Sequence, residues 1–230
     1  MSLDALKKEA AIQAVAQIKN GMIVGLGTGS TAFHAVNAIG DRMKAEGLSI
    51  IGVPTSSRTA DQARGLGITL ASLEDRPSLD LAIDGADEIE LSTLNLIKGA
   101  GGALLQEKLV EVSAARLIII ADETKKVDKL GARFAIPVEV VRFGWKSTFG
   151  RLEALGCQPT LRLRADGEPF VTDEQHFLLD CQFGLIDDAA RLADAIKGIT
   201  GVIEHGLFIG MTSQAIVATS SGIENLFPPA

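Results

Sequence analysis

Residues 22–53 read MIVGLGTGSTAFHAVNAIGDRMKAEGLSIIGV. A short apolar run, Met22–Leu26, breaks into Gly27-Thr28-Gly29-Ser30. Thr31–Glu46 then carries Phe33, Val36, Ile39 and Met43 at helical spacing, and Gly47 ends it. Leu48–Val53 is a second apolar run, stopped by Pro54. Two runs of strand length joined by one amphipathic helix make a parallel βαβ unit, in a sheet covered on both faces.

The same rhythm extends in both directions. Upstream, Leu3, Leu6, Ala10, Ala14 and Ile18 recur at helical spacing, with Asn20-Gly21 as the stop. Downstream come a helix near Thr59–Leu66, strands at Ile68–Ala71 and Leu79–Ile83, a helix near Ala103–Ala115 and a strand at Arg116–Ala121. The expectation is an α/β domain with a Rossmann-like, mostly parallel sheet. After about residue 131 the order changes to strand Phe134–Val141, helix Lys146–Leu155, strand Gln158–Leu163, turn Ala165-Asp166-Gly167, strand His176–Gln182, helix Asp187–Ile199 capped by Asp187, and strand Gly201–His205. This β-α-β-β-α-β order predicts a second, smaller ferredoxin-like α+β domain. The tail holds an apolar run, Leu207–Ile209, and a helix-like Ser213–Thr219; too short to stand alone, it returns to the first domain. The predicted domains are therefore 1–131 plus 206–230, and 132–205.

Composition narrows the function. The 230 residues are 47% hydrophobic and 22% charged, an ordinary globular balance, and 22 basic against 29 acidic residues give a net charge of −7. No basic cluster exceeds a pair, which argues against nucleic acid or a membrane surface as partner. The longest aliphatic run, Leu117–Ala121, falls far short of the ~18 residues of a membrane span. The charged, amphipathic N-terminus has no apolar signal core. Cys157 and Cys181 lack metal-ligand spacing and read as buried free thiols, which fits a cytoplasmic location. His34, His176 and His205 are scattered, so no metal site is legible. Trp145 reads as packing, and no Ser or Cys sits in a nucleophile motif.

Three loops that follow apolar runs carry the chemistry, at the strand ends where open parallel sheets bind ligands. In Gly25-Leu26-Gly27-Thr28-Gly29-Ser30-Thr31, glycines let backbone N–H groups approach a phosphate at a helix N-terminus, and three hydroxyls add donors. A dinucleotide site is the obvious rival. It requires an acid at the end of the second strand, where Val53-Pro54-Thr55-Ser56-Ser57 has none, and a glycine where Thr31 stands. Asp84-Gly85-Ala86-Asp87-Glu88 concentrates carboxylates that push each other's protonation apart, which suits acid/base work. Lys98-Gly99-Ala100-Gly101-Gly102 supplies a cation and a flexible backbone before a helix that bears Glu107 in its opening turns. Lys125, in Asp122-Glu123-Thr124-Lys125-Lys126, is a further cation at a strand end.

In this order the segments resemble the ribose-5-phosphate isomerase A family. The matching stretches are GLGTGSTA (25–32), PTSS (54–57), DLAIDGADEIE (80–90), LIKGAGGALLQEKLV (96–110), IIADETKKV (119–127), IPVEV (136–140) and HGLFIG (205–210). The resemblance implies an aldose-ketose isomerase of the non-oxidative pentose phosphate pathway, working on a sugar phosphate without metal or organic cofactor, as a homodimer or tetramer. Position by position, it implies that Thr28, Gly29, Ser30 and Thr31 bind the sugar phosphate and that Asp84, Gly85, Ala86 and Asp87 form an acidic substrate loop. It implies that Lys98, Gly99, Ala100 and Gly101 form a second substrate loop, that Glu107 is the catalytic base assisted by Asp84, Asp87 and Lys98, and that Lys125 binds substrate. Ala100 departs from the family's usual Lys-Gly-Gly-Gly; a methyl there is strained if the backbone needs a positive φ. Two readings from other classes stand beside the isomerase. A non-catalytic sugar-phosphate sensor would carry a DNA-binding segment, which the sequence lacks. A coenzyme A transferase-like enzyme would use Glu107 as a nucleophile toward a thioester.

Overall fold

The computed structural model describes residues 2–229. They form two compact units, one of Met1–Ala86, Gln106–Lys125 and Met211–Ala230, the other of Asp87–Leu105 and Lys126–Gly210. These units differ from the expected domain boundaries at residues 87–105, 126–131 and 206–210. The cause is a small sheet that the sequence reading did not contain, described below.

The first unit is built on a seven-stranded sheet in the order Gly222–Leu226, Gln214–Thr219, Leu117–Asp122, Leu81–Asp84, Ile23–Leu26, Ile51–Pro54, Thr69–Leu70. Every pairing is parallel except that of the edge strand Gly222–Leu226, which returns as a hairpin. Helices Leu3–Val15 and Ser30–Glu46 cover one face, contributing Leu6, Ala10, Val36 and Ile39 to a core shared with Ile83, Ile118 and Ile120. All residues of Leu117–Asp122 are buried. At about 1.5–3 kcal/mol for each large aliphatic side chain, Leu117 and the three isoleucines alone make this strand a main source of stability. On the other face Val110 packs with Val53 and Leu79. Gly25 permits that approach, because a Cβ there would lie 2.7 Å from Val110 Cγ1.

Two expectations are corrected here. Ser213–Thr219 was expected to be helical, but Gln214–Thr219 is a strand beside Leu117–Asp122, buried at every position. A strand covered on both faces has no alternation to distinguish it from helix. Phe33 is not part of the buried stripe: it is 51% exposed, and Ala32, Ala35, Val36 and Ile39 make the inner face. Gly47, at φ 70, does end this helix in the left-handed conformation that glycine tolerates.

In the second unit, strands Gln158–Leu161, Phe177–Gln182, Ile136–Val140 and Val202–His205 form an antiparallel sheet in that order. With helices Trp145–Glu153 and Ala189–Lys197, this is the expected ferredoxin-like arrangement. Alternation sends Ile136, Val138, Val140, Leu179 and Cys181 into one core with Leu152 and Ile196. Trp145 packs edge-on against Phe149 and Phe177. The cap of the second helix is Asp188, not Asp187: Asp188 accepts from Arg191 N–H, whereas Asp187 pairs with Lys129. The unforeseen small sheet runs Leu207–Phe208, Leu96–Ile97, Glu88–Glu90, Lys126–Val127. Its strands have two or three residues each, too few for a periodicity to register. Among the described residues no helix is long and apolar enough to cross a membrane.

Candidate active site

In the first unit the strand Ile23–Leu26 delivers Gly27-Thr28-Gly29 to the N-terminus of helix Ser30–Glu46. Gly27 N–H donates to Ile83 O at 3.0 Å, which ties the loop to the neighbouring strand. Asp84, 1% exposed at the end of that strand, accepts from Thr28 N–H at 3.0 Å and from Gly85 N–H at 2.6 Å, both on Oδ1. One carboxylate oxygen thus fixes both the first loop and the start of the second. The Thr28 hydroxyl turns into the protein instead, to Thr55 at 2.7 Å, Ser56 at 2.8 Å and Thr59 at 3.1 Å. Thr59 Oγ1 in turn donates to Gly27 O at 3.0 Å. This buried hydroxyl cluster explains the PTSS segment as a brace for the glycine loop.

Gly29, at φ 124, precedes the helix, and Ser30 is exposed at its first position while Thr31 is 8% exposed. The N-terminal N–H groups of a long helix attract anions. Lys7 Nζ lies 3.0 Å from Ser30 Oγ, so a cation stands at this same helix start. Sequence reasoning missed Lys7, which sits in an unremarkable Lys-Lys pair on the first helix. A cleft of about 580 Å³ borders Gly29 and Ser30 and is also lined by Arg58, Thr59 and Gln62.

Glu107 belongs to the first turn of helix Leu104–Val112 and is 3% exposed. Lys125 ends a short 3-10 turn that follows strand Leu117–Asp122, and is half-buried.

In the second unit Lys98 follows strand Leu96–Ile97, which pairs with Leu207–Phe208. Lys98 N–H donates to Gly206 O at 2.9 Å. Its side chain is 2% exposed, with Nζ 5.4 Å above the Phe208 ring, a cation–π arrangement that offsets part of the cost of burying the charge. Asp87 Oδ2 accepts from Ala100 N–H at 2.9 Å, which joins the acidic loop to the glycine loop. Gly99 has φ 100 and Gly102 φ 82, whereas Ala100 is not among the positive-φ residues. The alanine therefore does not stand at a positive φ, and the strain that a methyl would meet there does not arise.

Glu88 parts company with the other two acids of its segment. It is 0% exposed and accepts from the N–H groups of Gly131 (2.6 Å), Arg133 (2.6 Å) and Phe134 (2.8 Å). It shapes the 131–134 turn. The histidines also have structural contacts: His34 with Asp4, His176 with Glu139, and His205, whose Nδ1 accepts from Leu207 N–H. Among the described residues no group of three or more His, Cys, Asp or Glu is placed to hold a metal ion.

The chain matches the family model described as ribose 5-phosphate isomerase A (phosphoriboisomerase A) over residues 51–222. It is 66% identical over 225 residues to ribose-5-phosphate isomerase A of Synechococcus sp. (strain JA-3-3Ab), covering 98% of each chain. Its fold is similar to that of ribose 5-phosphate isomerase A from Methanocaldococcus jannaschii, with a TM-score of 0.94, 39% identity, and coverage of 98% of this chain and 100% of that one. A D-ribose-5-phosphate isomerase solved in complex with phospho-erythronic acid gives a TM-score of 0.95 at 37% identity, covering 99% of this chain and 100% of that one. With a matching family model, a relative at this identity and two solved structures of the same architecture, the chain belongs to the ribose-5-phosphate isomerase A family.

Proposed function

We propose that Glu107 carries the proton in the interconversion of D-ribose 5-phosphate and D-ribulose 5-phosphate. Moving the carbonyl from C1 to C2 of the open-chain sugar requires loss of the C2 proton, an enediolate, and return of a proton to C1. A carboxylate held out of water can do both transfers, and positioned acid–base catalysis of this kind contributes about 10²–10⁴-fold. The burial of Glu107 is the observation that carries the reading. Asp84 and Asp87 bind the sugar hydroxyls or pass protons between O1 and O2. Lys98 stabilises the charge that develops on the enediolate oxygen, an effect strengthened where water is excluded. The helix start at Gly29–Thr31, with Lys7 and Lys125, receives the phosphate.

The phospho-erythronic acid bound by the relative supports this assignment chemically. It is a phosphorylated four-carbon acid whose planar carboxylate matches the planar, charged enediolate, and stable mimics of high-energy species bind tightly. Conversion of ribose 5-phosphate in D₂O tests the proton route. The reading expects at least part of the C1 hydrogen of the ketose to come from solvent. Turnover that gives no deuterium at C1 and survives Glu107→Gln would indicate an internal hydride shift and overturn it, whereas a shielded carboxylate that returns its own proton loses turnover in that variant.

We further propose a cytoplasmic homo-oligomer. Two buried free thiols suit a reducing compartment, and large apolar side chains such as Phe143 (95% exposed) and Leu185 (65%) suit a self-association surface. Light scattering on the purified chain reads the mass directly.

A further inference from the structure

We infer that Arg162 is a positioning residue for the isomerase reaction, acting on Asp87 through the Gly99–Ala100 peptide. The inference rests on the proposed role of Asp87 toward the sugar oxygens.

Arg162 follows strand Gln158–Leu161 and continues its ladder, donating from its backbone N–H to Leu178 O at 2.9 Å. Leu161 points into the core of the ferredoxin-like unit, so Arg162 points to the opposite face of that sheet. There Asp180 holds its guanidinium through two bonds, from Nε at 2.9 Å and from Nη2. The two side chains are 16% and 29% exposed. Bidentate Arg–carboxylate pairs fix geometry as well as charge.

The remaining terminal nitrogen, Nη1, donates to Gly99 O at 3.0 Å and to Ala100 O at 3.2 Å. Gly99 C=O and Ala100 N–H are the two ends of one planar peptide group. Its N–H donates to Asp87 Oδ2 at 2.9 Å. The plane is thus held by a cation at its oxygen and by a carboxylate at its hydrogen. A half-turn of the plane would point the carbonyl oxygen at the Asp87 carboxylate. Gly99, at φ 100, has no side chain to resist such a turn. Arg162 supplies the resistance, and so keeps one donor aimed at Asp87 and that carboxylate in a fixed orientation. Lysine cannot substitute, because one ammonium cannot grip both oxygens of Asp180 and two carbonyls in a planar fork.

The test measures kcat and KM for ribose 5-phosphate in Arg162→Met, Arg162→Lys, Asp87→Asn and the double variant Arg162→Met/Asp87→Asn, with thermal midpoints alongside. Arg162→Met should lower kcat about 10- to 100-fold while KM moves less, the scale of loss that accompanies misplacement of a reacting group. Lysine should not restore it, and the double variant should be no slower than Asp87→Asn alone. Should Arg162→Met fail to fold, Arg162→Lys, which keeps a cation beside Asp180, carries the comparison. A kcat within about twofold of wild type in the Arg162 variants, or losses that multiply in the double variant, overturns the inference while leaving the Asp87 reading standing. Full kcat in Asp87→Asn removes the Asp87 reading and the inference with it.

Discussion

Asp84 and Gly27 show how little freedom the first loop has. A Cβ on Gly27 would lie 2.2 Å from both Cγ and Oδ1 of Asp84, far inside van der Waals contact, so the carboxylate would have to leave its bonds to Thr28 and Gly85. Gly27→Ala is therefore expected to cost about 1–3 kcal/mol of stability by overpacking and roughly 10²-fold in kcat/KM by displacing Asp84. Enzyme kinetics with a melting curve checks both, and wild-type kcat/KM in a folded Gly27→Ala protein would contradict the placement of Asp84 in the site. At this scale the sequence marks out segments but does not say what each atom in them does. Asp84, Asp87 and Glu88 look alike in a string of letters, yet Glu88 is consumed by three backbone N–H groups from a turn more than forty residues away. Thr28 looks like a phosphate donor, but its hydroxyl belongs to a buried cluster. Long-range hydrogen bonds of this kind leave no local pattern.

Among the elements, strand Ile136–Val140 carries a buried carboxylate to which no part in the reaction is assigned. Glu139 is 1% exposed on the side of the sheet opposite Val138, and accepts from Thr172 Oγ1 at 2.8 Å, with His176 Nδ1 at 2.9 Å. Burial pushes its carboxyl above the ordinary value of 4.5, against the pull of His176 and Thr172, and the negative charge of Glu174 adds to the rise. The folded state then holds this proton more tightly than the unfolded chain does. Its contribution to stability is full below about pH 4.5 and is lost as pH rises through the raised value. Glu139→Gln should flatten that decline, so the variant gains on wild type as pH increases above about 4.5. Melting temperatures measured from pH 4 to 8 decide this, and parallel curves for the two proteins would contradict it. Legibility at this scale followed length and alternation. The Ser30–Glu46 helix and the β-α-β-β-α-β order were readable because amphipathic helices separate the strands. Gln214–Thr219 was not, because burial on both faces erases the period, and Glu88–Glu90 and Leu96–Ile97 were too short to show one. Arg162 has no motif at all; its role depends on Asp180 and Gly99, which only the fold assembles.

Across the whole molecule, the residues assigned to chemistry are divided between two units of different topology. Asp84, Glu107 and Lys125 belong to the parallel-sheet unit, and Asp87 and Lys98 to the other. The chain passes from one unit to the other at Ala86–Asp87, Leu105–Gln106, Lys125–Lys126 and Gly210–Met211, the first three within the segments that carry those residues. Those crossings explain why the matching motifs were clear while the domain limits were not: the same segments that hold the residues assigned to chemistry contribute short strands to the small sheet. The most direct measurement is the rate of ketose formation from ribose 5-phosphate by EDTA-treated protein, wild type beside Glu107→Gln. The account predicts rapid conversion by wild type, and a loss of about 10²–10⁴ in turnover for the variant with substrate affinity largely kept. Turnover by Glu107→Gln close to that of wild type would contradict it and remove Glu107 from the proton transfer.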